Sequence, residues 1–218
     1  DRSSAASDVY KRQTSSIIET PALSDARQES LNKGFTPLSP IAAETVTMLS
    51  ATTEVHTAAI VSSSGAVAAL SIAHGMQQGG VVTYINPQPE LVDHTRQNYN
   101  AEKPAGVLLR PITGLPLDVM SRLADDAYDL VYVEDVADQL GIFVETSARL
   151  LHTGGILILP NSLANGHFLE ETDPAEATND DDNKAIAATT LAGMLAETDD
   201  FEVFRLPLDE GMTIARRV

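Results

Sequence analysis

Short apolar, β-branched runs alternate with stretches of helical periodicity over most of this chain. The runs are "HTAAIV" (56–61), "GVVTYIN" (80–86), "AGVLLRPI" (105–112), "YDLVYVE" (128–134) and "GGILILP" (154–160), with helical stretches near 65–76, 88–102, 116–124 and 138–152. Near-continuous apolar runs of this length suit strands buried on both faces, and their alternation with helices is the βαβ pattern of a parallel sheet. A last helix over about 184–197 precedes "FEVFRLPL" and "GMTIARR", which predict an antiparallel strand pair closing the sheet edge. Upstream, residues 24–50 read as two helical pieces broken at "GFTPLSP", because glycine and two prolines interrupt a continuous helix. The second piece is expected to lie across the mouth of the sheet.

Length and charge narrow this picture. A chain of 218 residues suits one α/β domain with a substantial core. The opening "DRSSAASDVYKRQ" (1–13) lacks an initiator Met and apolar periodicity and resembles translated adapter sequence, so it is set aside as a non-native leader and 14–218 are read as the domain. With 14 Lys+Arg against 31 Asp+Glu the formal charge is −17, a field that repels polyanions and argues against a nucleic-acid substrate. The chain contains no cysteine, which removes disulfides, thiolate metal sites and cysteine nucleophiles. Without a bilayer-length apolar run or a signal-peptide core, no membrane association is expected and a cytoplasmic location is. The acidic segment "EETDPAEATNDDDN" (170–183) lacks the ligand spacing and turn glycine of an EF-hand and is read as a solvated loop.

In an open α/β sheet, ligands bind beyond the carboxyl ends of the central strands, chiefly at the first βα turn and the end of the second strand. Those places are Val61–Gly65 and Asn86–Pro87. Glycine is favoured in such a turn because it tolerates positive φ and lets backbone approach a ligand. Here Ser62, Ser63 and Ser64 precede Gly65, at an expected cost of about 1–2 kcal/mol for each non-glycine residue held left-handed. Their hydroxyls, with amides at the next helix start, could hold a carboxylate; the alternative is a serine-rich helix cap. The histidines at 56, 74, 94, 152 and 167 have no metal-ligand spacing, although His167 is a candidate base beside the expected site. No G-x-S-x-G elbow supports serine hydrolysis.

Three further segments, "TGLPLDVMSRLADDAYDLVYVED", "RLLHTGGILILPNSLANG" and "LPLDEGMTIARR", fall in the order and spacing of a known family. From about Ala26 to Arg217 the chain resembles the class I S-adenosylmethionine-dependent O-methyltransferases, in the branch of the catechol and caffeoyl-CoA enzymes and their bacterial counterparts. The resemblance implies a Rossmann-like, seven-stranded, mostly parallel sheet with an antiparallel C-terminal strand and helices on both faces. It also implies S-adenosylmethionine as cofactor, a small hydroxylated molecule as methyl acceptor, and a homodimer.

Carried over residue by residue, the resemblance places the cofactor at Val61, Ser62, Ser63, Gly65, Asn86, Pro87, Gly114, Leu115 and Glu134. Glu134 is also the candidate catalytic base. The family's first loop is richer in glycine and carries an acid where this chain has Ala59. Its ribose-binding Asp corresponds to Asn86, which can accept one hydroxyl without the charge-assisted bonds of a carboxylate. Family members that bind a divalent cation use an Asp-Asp-Asn set and a lysine, which fall on Glu134, Pro160, Asn161 and Ala137. Proline offers no side-chain ligand; even with Asp135 the set is short of oxygen donors, so no metal is assigned. Methyl transfer can proceed by positioning alone. The competing reading is a catalytically inactive methyltransferase fold kept as a binding or interaction module.

Overall fold

The structure, a computed structural model, describes residues 17–104, 106–134, 139–162, 189–191, 193–195 and 198–218. The leader at 1–13, the acidic segment, Asp135, Ala137 and His167 lie outside these residues. Two N-terminal helices, α1 (Pro21–Asn32) and α2 (Pro40–Thr52), open the chain. Each begins with a proline at its first turn behind a hydroxyl cap: Thr20 accepts from the Leu23 amide and Ser39 from the Ala42 amide. Between them Gly34 takes φ of 82°, a left-handed turn that stops α1.

The Rossmann-like core follows as β1 (Thr57–Val61), α3 (Gly65–Gly75), β2 (Val81–Asn86), α4 (Pro89–Glu102), β3 (Leu108–Thr113), α5 (Pro116–Met120), β4 (Tyr128–Val133), α6 (Leu140–Leu150), β5 (Leu151–Leu159), β6 (Phe201–Leu206) and β7 (Met212–Arg217). Seven strands form one sheet in the order β3-β2-β1-β4-β5-β7-β6. The first five are parallel, and β7 runs antiparallel to both β5 and β6. The expected terminal pair is therefore present, with β6 at the edge.

Several boundaries differ from expectation for local reasons. β3 starts at Leu108 instead of 105 because Gly106 makes a left-handed turn, with φ of 74°, just before it. Helix α6 ends at Leu150, two residues early, because Leu151 is already paired with Tyr128 at the start of β5. α5 is a single turn and a half, not the longer helix expected to 124. Of the last predicted helix, described helical residues fall within 189–195, where Leu191 and Leu195 are buried against the sheet. Helix α2 packs on α3, and its N-cap amide, Ser39, donates to Asp209 in the turn between β6 and β7. The Thr47 hydroxyl donates to the Ser71 carbonyl, and a Cβ at Gly75 would stand 2.1 Å from the Thr47 backbone carbonyl oxygen.

Strand alternation divides the core cleanly. Ala58, Ile60, Val82, Tyr84, Leu130, Tyr132, Ile156 and Ile158 face α1 to α4, while Ala59, Val61, Ile85, Val131, Val133 and Leu157 face the α5–α6 side. Every strand near the centre is thus apolar on both faces, as a sheet sandwiched by helices requires. The edge strand β3 has no fully buried position and tolerates Pro111, whose missing N–H would break a central ladder.

Candidate functional site

Chain direction across the sheet reverses between β1 and β4: from β1 the order runs to β2 and β3, from β4 to β5. Such a switch point opens a crevice beyond the strand ends. Register brings Val61 opposite both Ile85 and Val133, so the residues that follow these strands meet there. They are Ser62 to Gly65, Asn86 and Glu134.

Glu134, 5% exposed, continues β4 by donating its amide to the Val61 carbonyl at 2.9 Å. Its Oε2 accepts hydroxyls from Ser62 at 2.5 Å and Ser64 at 2.8 Å. The Ser62 Oγ also accepts the Ser64 amide at 3.0 Å, which closes the turn on itself. From the opposite side, β2 sends two donors to the Ser62 carbonyl, the Tyr84 hydroxyl at 2.9 Å and Asn86 Nδ2 at 3.0 Å. One serine is thereby tied to both neighbouring strands.

The backbone of the loop needs no left-handed residue. None of Ser62, Ser63, Ser64 or Gly65 has positive φ, and Ser64 sits at φ −97°, ψ 36°. The cost anticipated for serines in a glycine-shaped turn does not arise, since side-chain hydrogen bonds impose the curve instead. Gly65 is required for a different reason from ligand approach. A Cβ there would stand 2.1 Å from Tyr84 Cε2 and 2.4 Å from Cζ, inside the buried ring.

The serines divide by role. Ser62 and Ser64, 1% and 3% exposed, are turned inward on Glu134. Ser63 is only partly buried and lines a small crevice with Gly65, Ala66, Leu91 and Thr95. Because the Ser64 hydroxyl serves Glu134, α3 has no side-chain cap. By helix geometry the amides of Gly65 and Ala66 have no acceptor within α3, so the dipole end of this helix suits an anionic group.

The remaining expected positions ring the same strand ends. Asn86 is buried, with Oδ1 accepting the Gln88 amide at 2.8 Å while Nδ2 serves Ser62; its oxygen retains a second lone pair. Pro87 is exposed beside it. Gly114 donates its amide to the Asn86 carbonyl, and a Cβ on it would come within 2.9 Å of Val119 Cγ2. Leu115 presents an apolar side chain 62% exposed at the head of α5.

At the end of β5 Pro160 is buried. Asn161 takes φ of 51°, and its buried Oδ1 has no hydrogen-bond partner among the described residues. Among the described residues no group of three or more His, Asp or Glu side chains converges as a metal site. Tyr84 is the participant that sequence reasoning missed. Its signal was position, two residues before Asn86 in "VVTYIN" and so on the same face of β2.

An O-methyltransferase family model matches residues 12–218. The chain belongs to that O-methyltransferase family. A Mycobacterium marinum protein named "Putative O-methyltransferase" is 32% identical over 206 residues, covering 93% of this chain and 87% of its own length. A crystal structure of a Corynebacterium glutamicum protein superposes with a TM-score of 0.83 at 25% identity, over 98% of this chain and 97% of that one. The O-methyltransferase TomG of Streptomyces achromogenes, solved in complex with SAM and involved in tomaymycin synthesis, has a TM-score of 0.78 at 16% identity, covering 93% and 92%. Among the described residues no helix is long and apolar enough to cross a membrane.

Proposed function

We propose that residues 14–218 act as one methyltransferase domain that moves a methyl group from S-adenosylmethionine to a hydroxyl of a small molecule. The observation that carries this reading is the first loop at the switch point, held in one shape while the opening of α3 is left without a side-chain cap. Family membership and the cofactor-bound relative TomG support it. When bound, the cofactor supplies an electrophilic methyl group on a sulfonium.

The chain's own residues divide the binding. The amides of Gly65 and Ala66, with Ser63, meet the methionyl carboxylate. Val61 and Ser62 form the floor through the Glu134 clamp. The second lone pair of Asn86 Oδ1, beside Pro87, accepts one ribose hydroxyl. Leu115 gives the adenine an apolar surface, with Gly114 keeping the backbone close. No step in this reading needs a metal, since Glu134 and Asn161 without a ligand at Pro160 make a poor oxygen shell. A cytoplasmic homodimer completes the proposal.

We propose Glu134 as the base that takes the acceptor's proton. Its two hydroxyl donors favour a second role, that of an anchor for the loop, and Glu134→Gln separates the two. A base lost costs roughly 10²–10⁴ in kcat with cofactor affinity kept, whereas an anchor lost weakens affinity and spares kcat. The first test is calorimetric titration of the full chain with S-adenosylmethionine and its demethylated product. Saturable binding is expected. No heat at millimolar ligand would leave the inactive-module reading in its place.

A further inference from the structure

The Ser62 carbonyl is outside the sheet ladder, yet it receives two buried donors from β2, the Tyr84 hydroxyl and Asn86 Nδ2. Tyr84 does more than donate. Its ring, fully buried, fills the space where a Gly65 side chain would stand. A single side chain therefore fixes both ends of the first loop, Ser62 through its hydroxyl and Gly65 through its ring. On the far side the loop is held by Glu134 of β4, so it cannot swing away from Tyr84 without breaking the Ser62 and Ser64 hydroxyl bonds.

We propose that Tyr84 is a positioning residue for the cofactor, setting the direction in which the opening amides of α3 face the methionyl carboxylate. The inference rests on the cofactor reading above. Tyr84 touches no ligand in this account; it acts by removing freedom from the loop before binding, which saves part of the ordering cost that a mobile loop would pay on association.

Tyr84→Phe keeps the ring against Gly65 and deletes only the donor. A buried hydrogen bond of ordinary strength corresponds to a weakening of about three- to tenfold in affinity for S-adenosylhomocysteine, read by calorimetry. The KM for S-adenosylmethionine should rise by the same factor with kcat unchanged. In the ligand-free protein, hydrogen exchange at residues 64–67 should speed up. Tyr99→Phe is the control, since Tyr99 is equally buried and its hydroxyl donates to the Val107 carbonyl far from the loop. It should lower the melting temperature and leave affinity alone.

If Tyr84→Phe lowers the melting temperature as Tyr99→Phe does, with parental affinity and exchange, Tyr84 is packing and the proposal is overturned. Should that variant fail to fold, the parent chain decides: the amides of Ser64 and Val67 are expected to be as protected without S-adenosylhomocysteine as with it, and protection gained only on binding overturns the proposal. A parent chain that binds neither ligand removes the cofactor reading and this inference together, whereas normal parental binding with an indifferent Tyr84→Phe removes this inference alone.

Discussion

The two ends of β1 and β4 are built with the same device in different surroundings. At the carboxyl end, Glu134 receives the Ser62 and Ser64 hydroxyls in a buried pocket. At the amino end, Asp129 Oδ2 receives the amides of His56 and Thr57 and the Thr57 hydroxyl, while Oδ1 faces His152 Nε2 at 2.7 Å. Each carboxylate ties β4 to the chain at β1. The difference is water: the Asp129 and His152 side chains are 22% and 43% exposed. A clamp that water can replace holds the sheet together; one that water cannot replace can also fix a loop for a ligand.

The sharpest way to break this contrast is to delete both carboxylates. Glu134→Ala leaves two buried hydroxyls without their acceptor and should cost about 3 kcal/mol. Asp129→Ala exposes its donors to solvent and should cost only about 1 kcal/mol. Urea denaturation of the two variants reads the difference, and equal losses would show that burial of Glu134 is not what sets its strength.

That contrast also marks what the chain discloses before folding. Strand placement, helix alternation and the terminal antiparallel pair were legible because apolar runs in a sandwiched sheet have few other uses. The first loop follows "HTAAIV" as its place in the pattern implies, and Asn86 and Glu134 meet it at the strand ends, with Gly114 bonded to Asn86. The roles of its residues were not legible. Serine between strand and helix reads equally as ligand contact or helix cap, and only the partner of each hydroxyl decides. Ser62 and Ser64 turn to Glu134, some seventy residues away in sequence, a pairing that no local pattern encodes. Gly65 likewise looks like a ligand-approach glycine until Tyr84 is seen above it.

Two glycines sharpen the comparison at a smaller scale. Gly65→Ala, at the buried end, drives a methyl group into the Tyr84 ring and should cost about 2–3 kcal/mol by overpacking, with cofactor affinity lost. Gly154→Ala, near the open end in β5, meets no atom within 4 Å but must hold φ of 90°. Its cost is conformational alone, about 1–2 kcal/mol, with affinity retained. Denaturation paired with calorimetry separates the two causes; an affinity loss in Gly154→Ala would show that the ends are coupled.

The smallest expected effect lies in the pH dependence of the open end. Burial pushes the Asp129 carboxyl up, but the His56 and Thr57 amides, His152 and the Thr57 hydroxyl together hold it below its ordinary value. The Thr153 carbonyl at His152 Nδ1 and Asp129 at Nε2 raise the imidazole above its ordinary value, against a smaller opposing effect of burial and with help from the Asp129 and Asp126 charges. For the raised histidine, the stabilisation is fully present below the unfolded value of about 6.5 and disappears as pH climbs through the higher folded value. For the lowered aspartate, it is present above about 3.9 and disappears as pH falls through the lower folded value. The clamp is therefore strongest between roughly pH 4 and 6.5. Stability should decline from pH 6 to 8 by less than about 1 kcal/mol, because an ion pair this exposed is screened. His152→Gln should flatten that decline while leaving the buried clamp and cofactor affinity untouched. Urea midpoints at the two pH values decide it, and an undiminished decline in the variant would assign the titration to other groups.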